Sequence, residues 1–102
     1  DNDTTMGWVS NANNYNQNFF EEYIGLTNES AEQRVLAMIK QAMSSVSFLC
    51  VLPMQDVLML DSSARMNIPG TVSNNWVWRF EWPQVKPEMI ARLSHLMTLY
   101  QR

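Results

Sequence analysis

Apolar positions change their spacing along this chain, and each spacing predicts a different element. Phe19, Phe20, Tyr23 and Ile24 fall at helical intervals with Glu21 and Glu22 facing outward, and Gly25 follows as a C-cap, so a short amphipathic helix is expected there. Ser30 and Gln33 form a capping box ahead of Val35, Ile39, Ala42 and Met43, which predicts a longer helix from about Ala31 to Ser44. The period then vanishes: Val46 to Leu52 is apolar at almost every position and stops at Pro53, the signature of a strand buried on both faces. Met54 to Leu60 has room for a helical turn or two. Asp61 to Pro83 shows no sustained period and reads as a long loop, holding Pro69-Gly70, Asn74-Asn75 and the tryptophans Trp76, Trp78 and Trp82. Pro87 opens a final helix whose apolar stripe is Met89, Ile90, Leu93, Leu96, Met97 and Tyr100. At the other end, Asp1 to Thr5 reads as a turn feeding a helix start, and the amide-rich Asn11 to Asn18 as a surface loop.

Helix, buried strand, loop and helix make up the pattern of a β/α protein, yet a parallel sheet of one strand is not viable. The strands that would flank Val46 to Leu52 are therefore expected in sequence outside this chain. A chain that opens at Asp1, with no initiator methionine and no basic, apolar leader, fits a truncated or excised piece. Its 102 residues allow one small core, and the 46% hydrophobic content belongs to globular proteins.

Charge and cysteine usage narrow the partners. Seven basic and ten acidic residues leave a net charge of -3, with no Lys or Arg cluster to follow a phosphate backbone, so nucleic acid is not expected. The longest apolar run, Phe48 to Met54, is too short to cross a bilayer, and a soluble protein is expected. Cys50 sits alone in that run, where a buried free thiol and a reducing cytoplasm are the natural reading. Cys50 and His95 lack ligand spacing, and neither a metal nor a cofactor is called for. His95, on the polar side of the last helix, reads as a surface histidine, and the methionines read as core filling.

In β/α barrels the working residues lie past the C-terminal ends of the strands. Asp1, Asn67 and the tryptophans would converge there, combining a carboxylate, an amide and flat aromatic faces, which are the groups that hold sugars. Three ordered motifs sharpen this. Asp1-Asn2-Asp3-Thr4-Thr5-Met6-Gly7-Trp8, Leu52-Pro53-Met54-Gln55-Asp56-Val57-Leu58 and Ala64-Arg65-Met66-Asn67-Ile68-Pro69-Gly70-Thr71, the last followed by Asn75-Trp76-Val77-Trp78-Arg79, resemble the C-terminal segment of the amylomaltases. These are 4-α-glucanotransferases, the disproportionating enzymes of glycoside hydrolase family 77.

The resemblance implies an α/β fold, the C-terminal portion of a (β/α)8 TIM barrel, mostly helical with one buried parallel strand. Residues 1–102 would then be a fragment of the catalytic barrel, from the end of strand 7 through helix 8, with the remainder of the barrel missing. It implies a cytoplasmic parent that transfers α-1,4-glucan segments between maltooligosaccharides with retention, through a covalent glycosyl-enzyme intermediate. The nucleophile and the acid/base have no counterpart here, so the chain alone is expected to be inactive. Asp1 matches the third catalytic carboxylate of the family, and Asn67, Pro69 and Gly70 match its substrate-binding loop. Members normally carry a His before that aspartate, many have glycines where this chain has Met59 and Asp61-Ser62, and they often read Trp-Arg-Trp-Arg where it has Trp76-Val77-Trp78-Arg79.

Plainer roles compete for the same residues. Asp1 and Asp3 could each cap a helix, and the match favours a sugar contact for Asp1 alone. Gln55 and Asp56 either bind substrate or cap the turn after the strand. One of Trp76 and Trp78 belongs to the core and the other can touch sugar, while Trp8 and Trp82 read as packing residues. Asn67 before Pro69-Gly70 also suits a turn. The rival to an enzyme fragment is a non-catalytic carbohydrate-binding or interaction module.

Overall fold

The computed structural model describes residues 1–102, apart from the side chain of Asn14. Five α-helices follow one another: α1 (Thr5–Asn11), α2 (Asn14–Ile24), α3 (Ala31–Ser44), α4 (Met54–Val57) and α5 (Pro87–Leu99). Short 3-10 turns occupy Ser62–Ala64 and Trp82–Gln84 within the long irregular segment.

The core lies where α1, α3 and α5 meet. Val9, Val35, Ile39, Met43 and Leu96 are buried together, and Val35 is 0% exposed. The capping box at α3 is present: the Gln33 N–H donates to Ser30 Oγ at 3.2 Å and Gln33 Oε1 accepts from the Ser30 N–H at 2.9 Å. A local signal therefore fixes the start of that helix, which spans the expected residues. Gly25 caps α2, also as expected.

The amide-rich stretch is a correction. Asn14 to Asn18 is helical, because Asn13 acts as the N-cap, accepting from the Asn16 N–H at 2.9 Å. Gln17 donates through Nε2 to the Ala12 carbonyl at 2.8 Å, covering a free acceptor at the end of α1. Only Ala12 and Asn13 separate the two helices. Side chains that weaken a helix interior serve well at its ends.

The run expected as a buried strand, Val46 to Leu52, is not shown as one. Among the described residues no strand ladder forms, and Val46, Phe48, Leu49 and Val51 are exposed. Cys50 and Leu52 pack against the helical core while the rest of the run faces outward, so Cys50 is half-buried rather than buried. The physical reason is simple: among the described residues no other segment pairs with the run to accept its hydrogen bonds or cover its other face. Arg102 holds the start of the run, donating from Nε to the Met43 carbonyl at 2.6 Å and from Nη2 to those of Ser45 at 3.0 Å and Ser47 at 2.8 Å. In α5 the inward stripe is narrower than expected, with Leu96 buried and Ile90 and Met97 exposed. No helix among the described residues is long and apolar enough to cross a membrane.

Candidate functional site

Residues far apart in sequence meet at the N-terminal end of α1. Thr4 is the N-cap, its hydroxyl accepting from the Gly7 N–H at 3.0 Å. The first turn of α1 is held from outside by Asp56: its Oδ1 accepts the Thr5 N–H and its Oδ2 the Thr5 hydroxyl, each at 2.8 Å. A buried carboxylate at a helix N-terminus is favoured by the free N–H groups and the helix dipole there. Next to it Gln55, also buried, donates from Nε2 to the Ala64 carbonyl at 3.1 Å. Both side chains are thus occupied in joining α4 to α1 and to the 3-10 turn at Ser62–Ala64. Neither caps the turn after the strand, as one reading had it: α4 has no side-chain cap, and both side chains hold distant segments instead.

Asp3 completes this junction. Its carboxylate accepts from the Thr4 N–H at 2.8 Å and from the Ser62 hydroxyl at 2.8 Å. Gly7 allows the approach, since a Cβ there would lie 2.7 Å from Asp3 Cγ and would also strike Ser62 Oγ. Neither Asp1 nor Asp3 is the N-cap of α1.

Above the junction opens a cleft of about 290 Å³, whose lining includes Asp1, Asp3, Pro53, Asp56, Arg65 and Trp76. Asn67 Nδ2 donates to Asp1 Oδ1 beside it. Arg65 donates from Nη2 to the Asp1 carbonyl at 2.7 Å and from Nε to the Asn67 carbonyl at 3.3 Å, and its Nη1 lies 3.9 Å from Asp3 Oδ2. The structure therefore brings Asp1 and Asn67 together across 66 positions of sequence. Pro69 and Gly70 stay outside the lining, at an exposed turn in which Gly70 has a φ of +80° and Thr71 bonds back to Ile68.

The tryptophans separate. Trp76 is 64% exposed on the cleft, with a φ of +62° held by its N–H bonding to the Met66 carbonyl at 2.5 Å. Trp78 is half-buried and tilted against Phe80 at 6.4 Å. Trp8 packs edge-on against Phe20 at 5.8 Å, whereas Trp82, expected as a packing residue, is exposed and meets Phe80 by one edge. Carboxylate and indole line one open cleft with the Asn67 amide beside it, a set that can hold a polyhydroxyl ring by its edges and one face. Among the described residues no three His, Cys, Asp or Glu side chains gather as metal ligands do.

Residues 1–85 match the family described as 4-alpha-glucanotransferase. The chain belongs to that family. Its 4-alpha-glucanotransferase relatives from Thermus thermophilus and a Synechocystis species are 41% and 39% identical, each across 100% of this chain. An amylomaltase from Streptococcus agalactiae, solved in complex with acarbose, superposes with a TM-score of 0.86 and 32% identity, again over 100% of this chain. The chain spans about a fifth of these proteins: 21% and 20% of the two relatives and 20% of the amylomaltase. The resemblance carried by the three motifs thus extends along the whole chain.

Two features of the cleft escaped the sequence. Arg65 stands inside a quoted motif, but its two backbone acceptors are defined only by the folded loop. Trp76 and Trp78 alternate as an extended pair would, and the positive φ that turns Trp76 onto the cleft has no local signal.

Proposed function

We propose that the protein containing this chain is a cytoplasmic 4-α-glucanotransferase, which cleaves an α-1,4-glucan and passes the released segment to the 4-hydroxyl of another maltooligosaccharide. The chain supplies the end of strand 7 through helix 8 of a (β/α)8 barrel. Val46 to Leu52 then serves as strand 8, flanked by strands carried elsewhere in the protein.

The observation that carries this reading is the meeting of Asp1 and Asn67 at a cleft that also presents Trp76. Asn67 engages one oxygen of the Asp1 carboxylate and leaves the other to accept a hydroxyl of the donor sugar. A grip that tightens as the ring flattens toward an oxocarbenium-like transition state lowers the barrier rather than merely binding substrate. The Trp76 indole offers its face to the apolar side of a pyranose. The Pro69-Gly70 turn sets the course of the loop that presents Asn67.

Retention requires a nucleophile and an acid/base about 5 to 5.5 Å apart. By the resemblance neither has a counterpart in this chain, and Asp3 and Asp56 are held in the hydrogen bonds of the junction, so the chain alone is expected to transfer nothing. The full protein given maltotriose should release glucose together with longer maltooligosaccharides. Glucose and maltose without longer products would make it a hydrolase. No reaction, together with tight saturable binding of maltoheptaose by the isolated chain, would favour a binding module.

A further inference from the structure

We propose that Arg65 is a positioning residue for Asp1, clamping the backbone on both sides of the Asp1 and Asn67 contact. This rests on the glucanotransferase reading. Asp1 and Asn2 precede α1 and are exposed, so helix formation does not fix them. Among the described residues, Asp1 is held by the bond from Asn67 and the bond from Arg65. A lone amide contact at an exposed carboxylate sets orientation poorly, because both side chains keep alternative rotamers of similar energy.

Arg65 removes that freedom. Its planar head donates from Nη2 to the Asp1 carbonyl at 2.7 Å and from Nε to the Asn67 carbonyl at 3.3 Å. Asp3, itself locked to Thr4 and Ser62, faces Nη1 at 3.9 Å and keeps the head in place. The guanidinium side chain is only 20% exposed, so it is better shielded from competing water than a free surface arginine. One rigid fork thus fixes the two main-chain segments whose side chains meet. A lysine cannot reproduce this, since its compact ammonium lacks the fork that spans separated acceptors.

Arg65 acts through Asp1 and not on substrate, and a double-mutant cycle in the full protein separates this from a general structural effect. Arg65→Met should lower kcat for maltotriose transfer by about 10- to 100-fold per folded molecule, with KM changed by less than about threefold, as for a slightly misplaced catalytic group. Arg65→Lys should recover part of the loss. In an Asp1→Asn background, Arg65→Met should cost less than about threefold more. An equal loss in both backgrounds would overturn the proposal. Crystal structures supply a readout apart from activity: Arg65→Met, or Arg65→Gln should the first not fold, should show the Asp1 and Asn67 side chains apart. Their continued contact would also overturn it. A wild-type protein with no transferase activity would instead refute the functional reading, and those crystal structures would still decide the clamp.

Discussion

Asp56 grips Thr5 twice, through the backbone N–H and the hydroxyl, each at 2.8 Å, from 51 positions away in sequence. This pair anchors the start of α1 to the segment that precedes the long loop, beside the cleft that Asp56 helps to line. Asp56→Ala should destabilise the chain by about 2 to 4 kcal/mol, because it removes two charge-assisted bonds and strands a buried helix N-terminus. Thr5→Val removes one of the two and should cost about 1 kcal/mol. Denaturant unfolding of the full protein would measure both, and a change below about 0.5 kcal/mol for Asp56→Ala would contradict the anchoring role.

Trp76 combines an unfavourable backbone with an exposed ring, and the two should respond in opposite directions to one substitution. A tryptophan with a φ of +62° bears a cost of about 1 to 2 kcal/mol that glycine escapes. Trp76→Gly should therefore raise stability by up to about 1 kcal/mol while weakening maltoheptaose binding about 10-fold, through loss of a stacking face. Thermal unfolding and calorimetric titration of the full protein would check the pair. A fall in stability with unchanged binding would show that the ring packs rather than stacks on sugar.

Helix limits were legible wherever a local device sets them. Ser30 and Gln33 define the start of α3, and Pro87 that of α5. The start of α2 was not, because runs of asparagine have low helix propensity and only the folded chain shows Asn13 as a cap. The run Val46 to Leu52 was recognisable as apolar and extended, but its burial depends on partners that no local pattern supplies. In the cleft, Asp1 and Asn67 were legible through the motifs that carry the resemblance. The roles of Arg65 and Asp56 rest on contacts 64 and 51 positions away, which spacing cannot encode.

The outward face of Val46, Phe48, Leu49 and Val51 leads to a solution prediction for the isolated chain. Contiguous apolar surface beside unpaired backbone groups favours association. The isolated chain should bind a hydrophobic dye strongly and form oligomers by light scattering. A dye-silent monomer would contradict this.

Asp61 lies on the exposed rim of the loop, and its pKa is held below the ordinary 3.8, first by the Ser63 hydroxyl and then by the Ser63 N–H. With the folded-state pKa depressed, the contribution to stability is present above 3.8 and disappears as pH falls through the folded-state value. Ser63→Ala removes the larger cause and should move the Asp61 midpoint upward in a carboxyl NMR titration. Identical midpoints in the two proteins would rule out that hydrogen bond as the cause.

The most direct test of the sugar-transfer reading is the rate at which the full protein disproportionates maltotriose, measured for the wild type and for Asp1→Ala. A carboxylate that grips the donor sugar chiefly in the transition state should be worth about 4 kcal/mol, so the variant should lose activity on the order of a thousandfold while folding normally. A folded Asp1→Ala protein within about threefold of the wild-type rate would contradict the assignment.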